Sequence, residues 1–88
     1  MLLVYSLFDS AVGEFGTPVC YASESLARRS FSLLVLEDSP HYASYRNYSS
    51  DFSVFYLGTY CSESGSFDLL PSPKAVFRLD ELLNDRRD

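Results

Sequence analysis

The segment of residues 38–50, DSPHYASYRNYSS, interleaves aromatic and basic side chains in a pattern that can bind single-stranded nucleic acid. Tyr42, Tyr45 and Tyr48 recur at every third position, and Arg46 lies among them. Aromatic rings stack on unpaired bases, and a guanidinium can stack on a base or contact a phosphate. A plainer interpretation places one or two of these tyrosines over a sheet edge and leaves the others in solvent. The sequence favours the plainer interpretation, because aromatic residues alone are a weak signal for base stacking.

Two adjacent arginines form a second basic feature. Arg28 and Arg29 fall off the apolar stripe of the stretch that best fits a helix, so they are expected on its exposed side. Together with Arg46, and with Lys74 and Arg78 further along, they could form a small basic patch. The alternative is an ordinary solvated helix surface. The candidate nucleic-acid-binding residues are therefore Arg28, Arg29, Tyr45, Arg46 and Tyr48.

No pattern in the chain predicts catalysis, a metal site or a cofactor. The sequence contains no GxSxG, P-loop, HExxH or CxxC motif. His41 follows Pro40 in a polar segment, where a solvated histidine is more common than a catalytic one. Cys20 and Cys61 are too far apart to chelate zinc as a closely spaced pair, and we predict that both are reduced and buried. The sequence thus predicts a protein that is not an enzyme.

Composition and charge limit the classes of partner. The 88 residues make one domain, and a hydrophobic content of 47% indicates an ordered core. The formal net charge of −5 argues against a protein that coats nucleic acid by bulk electrostatics, although a local basic patch remains compatible with it. The sequence shows no secretory signal and no apolar run of about 18 residues, so no membrane partner is expected.

The apolar pattern predicts a small α+β fold. Strands are expected at residues 2–8 and 14–22, a helix at 23–37, and a strand at 51–60 that turns at 61–65 and returns at 67–70. The strand at 51–60 has large apolar groups on both faces, which is typical of a central strand covered on two sides. Simple alternation would place Phe52, Val54, Tyr56, Gly58 and Tyr60 on one face. Gly58 itself suggests a bulge or a close backbone approach.

The C-terminal part of the chain allows two interpretations. Ser72 and Pro73 form a helix-start signal, and the apolar residues that follow have helical spacing, so we predict a short C-terminal helix from there. A last strand at residues 75–79 is the competing prediction. The whole is a β-β-α-β-β domain over residues 1–88, with a sheet-plus-helix core at 1–70 and a C-terminal segment at 71–88. One helix covers only one sheet face, so the second layer must be the C-terminal segment or another subunit of a homo-oligomer.

Four stretches of the chain resemble the small nonstructural protein of gokushovirus-type microviruses, which are bacteriophages with circular single-stranded DNA. They are VYSLFDS at residues 4–10, ASESLARRSF at 22–31, DSP at 38–40, and DFSVFYLGTY at 51–60 followed by the turn to Gly65 and Phe67. Their order and spacing are compatible with the family over residues 4–67. The sequence departs from the family at Cys61, where an acidic residue is usual, and residues 71–88 resemble the family only loosely.

The resemblance implies a role in phage DNA replication inside the host bacterial cytoplasm. The family is associated with the switch from duplex replicative-form synthesis to single-stranded genome synthesis and packaging, and with DNA binding. The resemblance assigns no catalytic residues to this chain. Single-stranded DNA, phage replication proteins and host factors are the partners implied. The alternative is an acidic protein–protein interaction module that docks on a replication initiator or a host factor, as the net charge of −5 would suit.

Overall fold

The computed structural model describes residues 1–37 and 39–83. The strands are β1 (Leu2–Asp9), β2 (Glu14–Phe15), β3 (Val19–Tyr21), β4 (Phe52–Cys61) and β5 (Ser66–Arg78), and the helices are α1 (Glu24–Leu36), α2 (Ala43–Asn47) and α3 (Leu79–Leu82). Two short 3₁₀ turns, Pro40–Tyr42 and Ser49–Asp51, flank α2. The predicted α+β class is confirmed, including the main helix and a short C-terminal helix.

The sheet is antiparallel, with the order β2-β1-β4-β5, and β3 also pairs with β1. The strand predicted at 51–60 is thus β4, and it lies inside the sheet between β1 and β5. The Gly65 N–H donates to the Cys61 carbonyl over 2.7 Å and closes the hairpin where the turn was predicted. Gly65 has a φ of 72°, a value that glycine adopts without strain.

A bulge in β4 changes which residues of the strand point to each face of the sheet. Val4 pairs with Gly58 and Tyr5 pairs with Tyr56, so Leu57 is an extra residue opposite β1. Because β1 alternates regularly, the even-numbered residues of β4 before the bulge and the odd-numbered residues after it point to the same face of the sheet. The predicted bulge at Gly58 is confirmed. The prediction that Gly58 and Tyr60 share a face with Val54 and Tyr56 is wrong, because simple alternation cannot cross an extra residue.

One face of the sheet is covered by the helices. α1 begins after Ser23, whose hydroxyl accepts a hydrogen bond from the Leu26 N–H, as the capping pattern predicts. Its stripe of Ala27, Phe31 and Val35 is buried against the sheet. The buried core formed on this face comprises Tyr5, Ala27, Phe31, Val35, Val54, Phe77, Leu79 and Leu82. Since Leu79 and Leu82 belong to α3, the C-terminal helix lies on the same side as α1.

The helix start predicted at Ser72 and Pro73 is wrong, and the competing strand is confirmed. β5 runs through both residues to Arg78, and α3 begins only at Leu79. β5 is an edge strand, where a missing N–H breaks no essential ladder bond. Residues 70–73 also fall between the Gly58–Leu69 and Tyr56–Lys74 pairs, so they bow out from β4.

Two further segments differ in detail from the sequence predictions. The strand predicted at 14–22 is split into β2 and β3 around Gly16 and Pro18, which agrees with the irregularity that the proline suggests. The polar connection at 38–50 contains α2 and two 3₁₀ turns in place of an irregular loop. Ser39 caps the first of these turns by accepting the His41 N–H, so local side-chain capping stabilises it.

Candidate functional site

Of the two adjacent arginines of α1, Arg29 lies on the outer side of the helix and Arg28 lies half-buried at its flank. Arg28 and Arg29, with Ser25, Leu26 and Ser32, line a shallow surface depression. The Arg28 guanidinium lies over the Phe77 ring, 5.2 Å from its centroid, which is a cation–π geometry. Arg29 is exposed. Ser32 is buried and its hydroxyl donates to the Arg29 carbonyl over 2.7 Å, so the groups of this surface that can contact phosphate oxygens are the guanidinium groups and the Ser25 hydroxyl.

Arg46 holds the end of α1. Its Nη1 donates to the Glu37 carbonyl over 2.6 Å and to the Ser39 carbonyl over 3.0 Å. The last turn of α1 has no basic residue of its own, so Arg46 of α2 supplies the cation that suits a helix C-terminus. Residues 29 and 37 are eight positions apart, or about 12 Å along a helix. Arg46 therefore contacts the C-terminal end of α1, away from the arginine pair near the middle of the helix.

Substitution of Arg46 by alanine should lower the free energy of unfolding by about 1–2 kcal/mol, since two charge-assisted hydrogen bonds are removed at a partly exposed site. Urea denaturation followed by circular dichroism measures this change. Arg29→Ala is the matched control, because it removes an exposed arginine from α1 and should change stability by no more than about 0.5 kcal/mol. Equal effects of the two substitutions would contradict the capping role of Arg46.

The tyrosines of the 38–50 segment form a separate group. Tyr45 is half-buried, with its ring 5.0 Å from Phe52 and 6.3 Å from Tyr42. Tyr48 is 61% exposed and lines a depression together with Asp9 and Asp51. The plainer interpretation of the tyrosines therefore describes Tyr45 well. The five candidate residues are spread over two surfaces and one helix end.

The titratable side chains form no recognisable catalytic arrangement in the part of the chain that the structure describes. Within residues 1–37 and 39–83, no group of three or more His, Cys, Asp or Glu residues could hold a metal ion. Burial raises the pKa of the Tyr5 hydroxyl, and a hydrogen bond with the Ser64 side chain lowers the pKa of the Cys61 thiol. Both cysteines are free thiols. The prediction that they are buried is wrong, because Cys20 lies on the short outer strand β3 and Cys61 at the end of the hairpin.

The sheet side opposite α1 has an aromatic surface that no sequence motif marks. The rings of Phe8, Phe15 and Phe55 contact one another, with centroid separations of 4.7 Å, 5.7 Å and 5.2 Å. Towards the hairpin turn, Tyr60 and Phe67 are 4.8 Å apart. We call this side the open face, defined by Phe8, Phe15, Phe55, Tyr60, Phe67 and Leu69. Apolar residues on both faces of the predicted strands were its signal in the sequence.

Comparisons with known proteins identify the family. The model of the phage ORF5 protein family matches residues 2–82. Comparison with curated proteins and with solved structures gives no match. In the two described ranges, no helix has the length and apolar character required to cross a bilayer. The family match covers every strand and α1, α2 and α3. This chain therefore belongs to the phage ORF5 protein family.

Proposed function

We propose that this chain is a non-catalytic accessory protein of phage DNA replication. It acts in the host bacterial cytoplasm at the switch from duplex replicative-form synthesis to single-stranded genome synthesis and packaging. It contacts single-stranded DNA through the outer surface of α1. Membership of the phage ORF5 protein family supports the phage context, and the resemblance to the microvirus nonstructural protein supports the role in replication.

The observation that carries the DNA contact is the position of Arg28 and Arg29. They line an open depression that also has the exposed serine Ser25. Arginine and serine side chains are common phosphate contacts. The stacking of Arg28 on Phe77 restricts the guanidinium to one part of this surface.

The charge distribution restricts the contact to a small number of phosphates. The formal net charge is −5, so DNA is repelled by most of the surface. Tyr48, although exposed, lies beside Asp9 and Asp51, whose carboxylates repel phosphates. Arg46 is held by two backbone carbonyls. The proposal therefore rests on α1 rather than on the tyrosines, and it implies moderate affinity with a shallow salt dependence.

Reversal of the charge at Arg29 tests this proposal. Arg29→Glu should weaken binding to a labelled single-stranded oligonucleotide about tenfold at low salt, since it replaces a charge-assisted hydrogen bond to a phosphate by a repulsion. The slope of log K against log salt should fall by about 0.7 for each phosphate that the variant no longer neutralises. Fluorescence anisotropy over a salt series of roughly 50 to 200 mM measures both quantities.

Lys74→Glu provides the matched control for that test. It makes the same change of two charges at an exposed residue of β5 that does not line the depression formed by Arg28 and Arg29. A general electrostatic effect would weaken binding equally in both variants, whereas the proposed site predicts a larger decrease for Arg29→Glu. Absence of any binding by the unmodified protein at about 50 mM salt would overturn the DNA contact.

A second candidate function is docking on another replication protein. The depression lined by Asp9, Ala11, Ser44, Tyr48, Asp51 and Phe52 combines two carboxylates with two aromatic rings, and it suits a basic peptide segment. A phage replication initiator or a host factor would supply that segment. Capture of such a protein from infected cells that is abolished in an Asp51→Asn variant, with no binding of the purified protein to DNA, would favour this function over the first.

A further inference from the structure

We infer that the open face is the contact surface of a symmetric homodimer, in which the sheets of two copies of this chain pack face to face. The inference concerns a different surface from the proposed DNA contact. It rests on the position, exposure and charge of the open face, and on the placement of the helices on the other side of the sheet.

The open face carries exposed apolar side chains at its two ends, whereas Val4 and Ser6 between them are each 2% exposed. On β1, Leu3 and Leu7 pack against the core beneath the helices, so the alternate residue Phe8 points away from the helices. Its strand partner Phe15 is 45% exposed. Beyond the bulge, Phe67 pairs with Tyr60 and is 57% exposed. Exposed aromatic clusters of this kind often mark a protein–protein contact.

The described helices do not cover the two ends of the open face. The molecule measures 39 × 32 × 20 Å, and 20 Å is the thickness of one sheet and one helix layer at about 10 Å each. Leu79 and Leu82 of α3 belong to the core beneath α1, and Tyr45 of α2 packs against the same core. The sequence at 84–88 is NDRRD, which contains no apolar side chain.

The charge pattern favours a second copy as the occupant. In an interface with twofold symmetry, the same patch of each subunit contacts the other subunit. A charged residue in the patch would therefore be buried twice, and near the axis it would lie close to the same charge of the second copy. Two copies with a net charge of −5 each repel one another except across an uncharged contact. The strand pairing places no charged residue between the Phe8 cluster and the Tyr60–Phe67 pair among the described residues, and Arg78 at the rim is paired with Asp80 over 2.9 Å.

The size of the surface is sufficient for a stable dimer. A standard interface buries about 800 Å² on each partner, and the broad side of this molecule measures 39 × 32 Å. The accessible surface is 5836 Å² for a chain of 10.0 kDa, whereas a folded monomer of that mass has about 5,200 Å². The excess is expected of a subunit that leaves large apolar side chains exposed on one side of its sheet. Face-to-face packing of two sheets at about 10 Å is a common way to cover such a face.

Sedimentation equilibrium from about 1 to 200 µM tests the dimer. The expected mass at high concentration is about 20 kDa, twice the 10.0 kDa of one chain. Phe15→Asp and Phe67→Asp each place a carboxylate at one end of the open face, and each should raise the dimer dissociation constant at least about a hundredfold. Two variants are used so that a folding defect in one of them does not decide the outcome; circular dichroism checks that each is folded.

Leu33→Asp is the control, because Leu33 is 50% exposed on α1, on the other side of the molecule. It should leave the dimer unchanged. A mass of about 10 kDa for the unmodified chain at the highest concentration would overturn the inference, even if a different protein were then found on the open face. Equal effects of Leu33→Asp and the two phenylalanine variants would overturn it as well. Neither outcome bears on DNA binding by Arg29, so the two proposals fail independently.

Discussion

Replacement of Gly58 by alanine should destabilise the protein by about 3 kcal/mol or more, the largest effect expected of any single methyl group added to this chain. Gly58 has a φ of 145°, which side chains with a Cβ rarely adopt. A Cβ there would overlap the Asp68 carbonyl oxygen and lie 2.7 Å from the Leu69 Cα. Both obstacles are backbone atoms of the neighbouring strand β5, so relief requires the hairpin to separate.

The measurement is thermal or urea unfolding of the Gly58→Ala variant, with a fall in Tm of about 4–8 °C for each kcal/mol of destabilisation. Gly65→Ala is the matched control, because Gly65 also has a positive φ, of 72°, but has open space around an added Cβ. That control should be destabilised by only about 1–2 kcal/mol, the cost of the left-handed backbone alone. Similar effects in the two variants would show that β5 moves aside easily at Gly58.

Replacement of Leu79 by alanine should lower the free energy of unfolding by about 2–5 kcal/mol, because Leu79 is fully buried and its removal leaves a cavity beneath α1. The same scale of destabilisation is not expected at Leu83, which is 44% exposed at the end of α3. Leu83→Ala should therefore change stability by no more than about 0.5 kcal/mol.

Denaturant unfolding of the two leucine variants gives the comparison directly. A large effect at Leu79 and a small effect at Leu83 would establish that α3, although only four residues long, is part of the folding unit formed by α1 and the sheet. If both variants were as stable as the unmodified protein, α3 would not be packed against α1 and the sheet as described.

The sequence was sufficient to predict the elements whose local chemistry and periodicity agree. Ser23 and the stripe of Ala27, Phe31 and Val35 determine the start and the buried side of α1, and both are confirmed. The hairpin turn at 61–65 and the bulge at Gly58 also followed from local residue types. In these cases the tertiary structure adds packing but changes no local preference.

Elements decided by distant contacts were beyond local reasoning. Ser72 and Pro73 are a good local signal for a helix, but β4 offers a partner strand and the edge position removes the objection to proline. Arg46 was a candidate nucleic-acid-binding residue, because nothing in the sequence shows that its side chain donates to two backbone carbonyls at the end of α1. Arg29 is exposed, as the periodicity of α1 predicts, whereas Arg28 is half-buried against the core residue Phe77.

The extra residue Leu57 has a consequence for how this chain tolerates change. Before Leu57, the even-numbered residues of β4 face the core beneath the helices, and after it the odd-numbered residues face that side. The alternation of apolar residues that the fold requires is therefore reversed between the two parts of the strand. One continuous strand thereby serves two hydrophobic environments: its first half contributes to the interior beneath the helices, and its far end contributes Tyr60 to the other side. Deletion of Leu57 would place Gly58 directly after Tyr56 and restore simple alternation, so Gly58 and Tyr60 would keep their positions opposite Val4 and Leu2. A deletion beyond Leu57 would instead exchange the two faces for the rest of the strand.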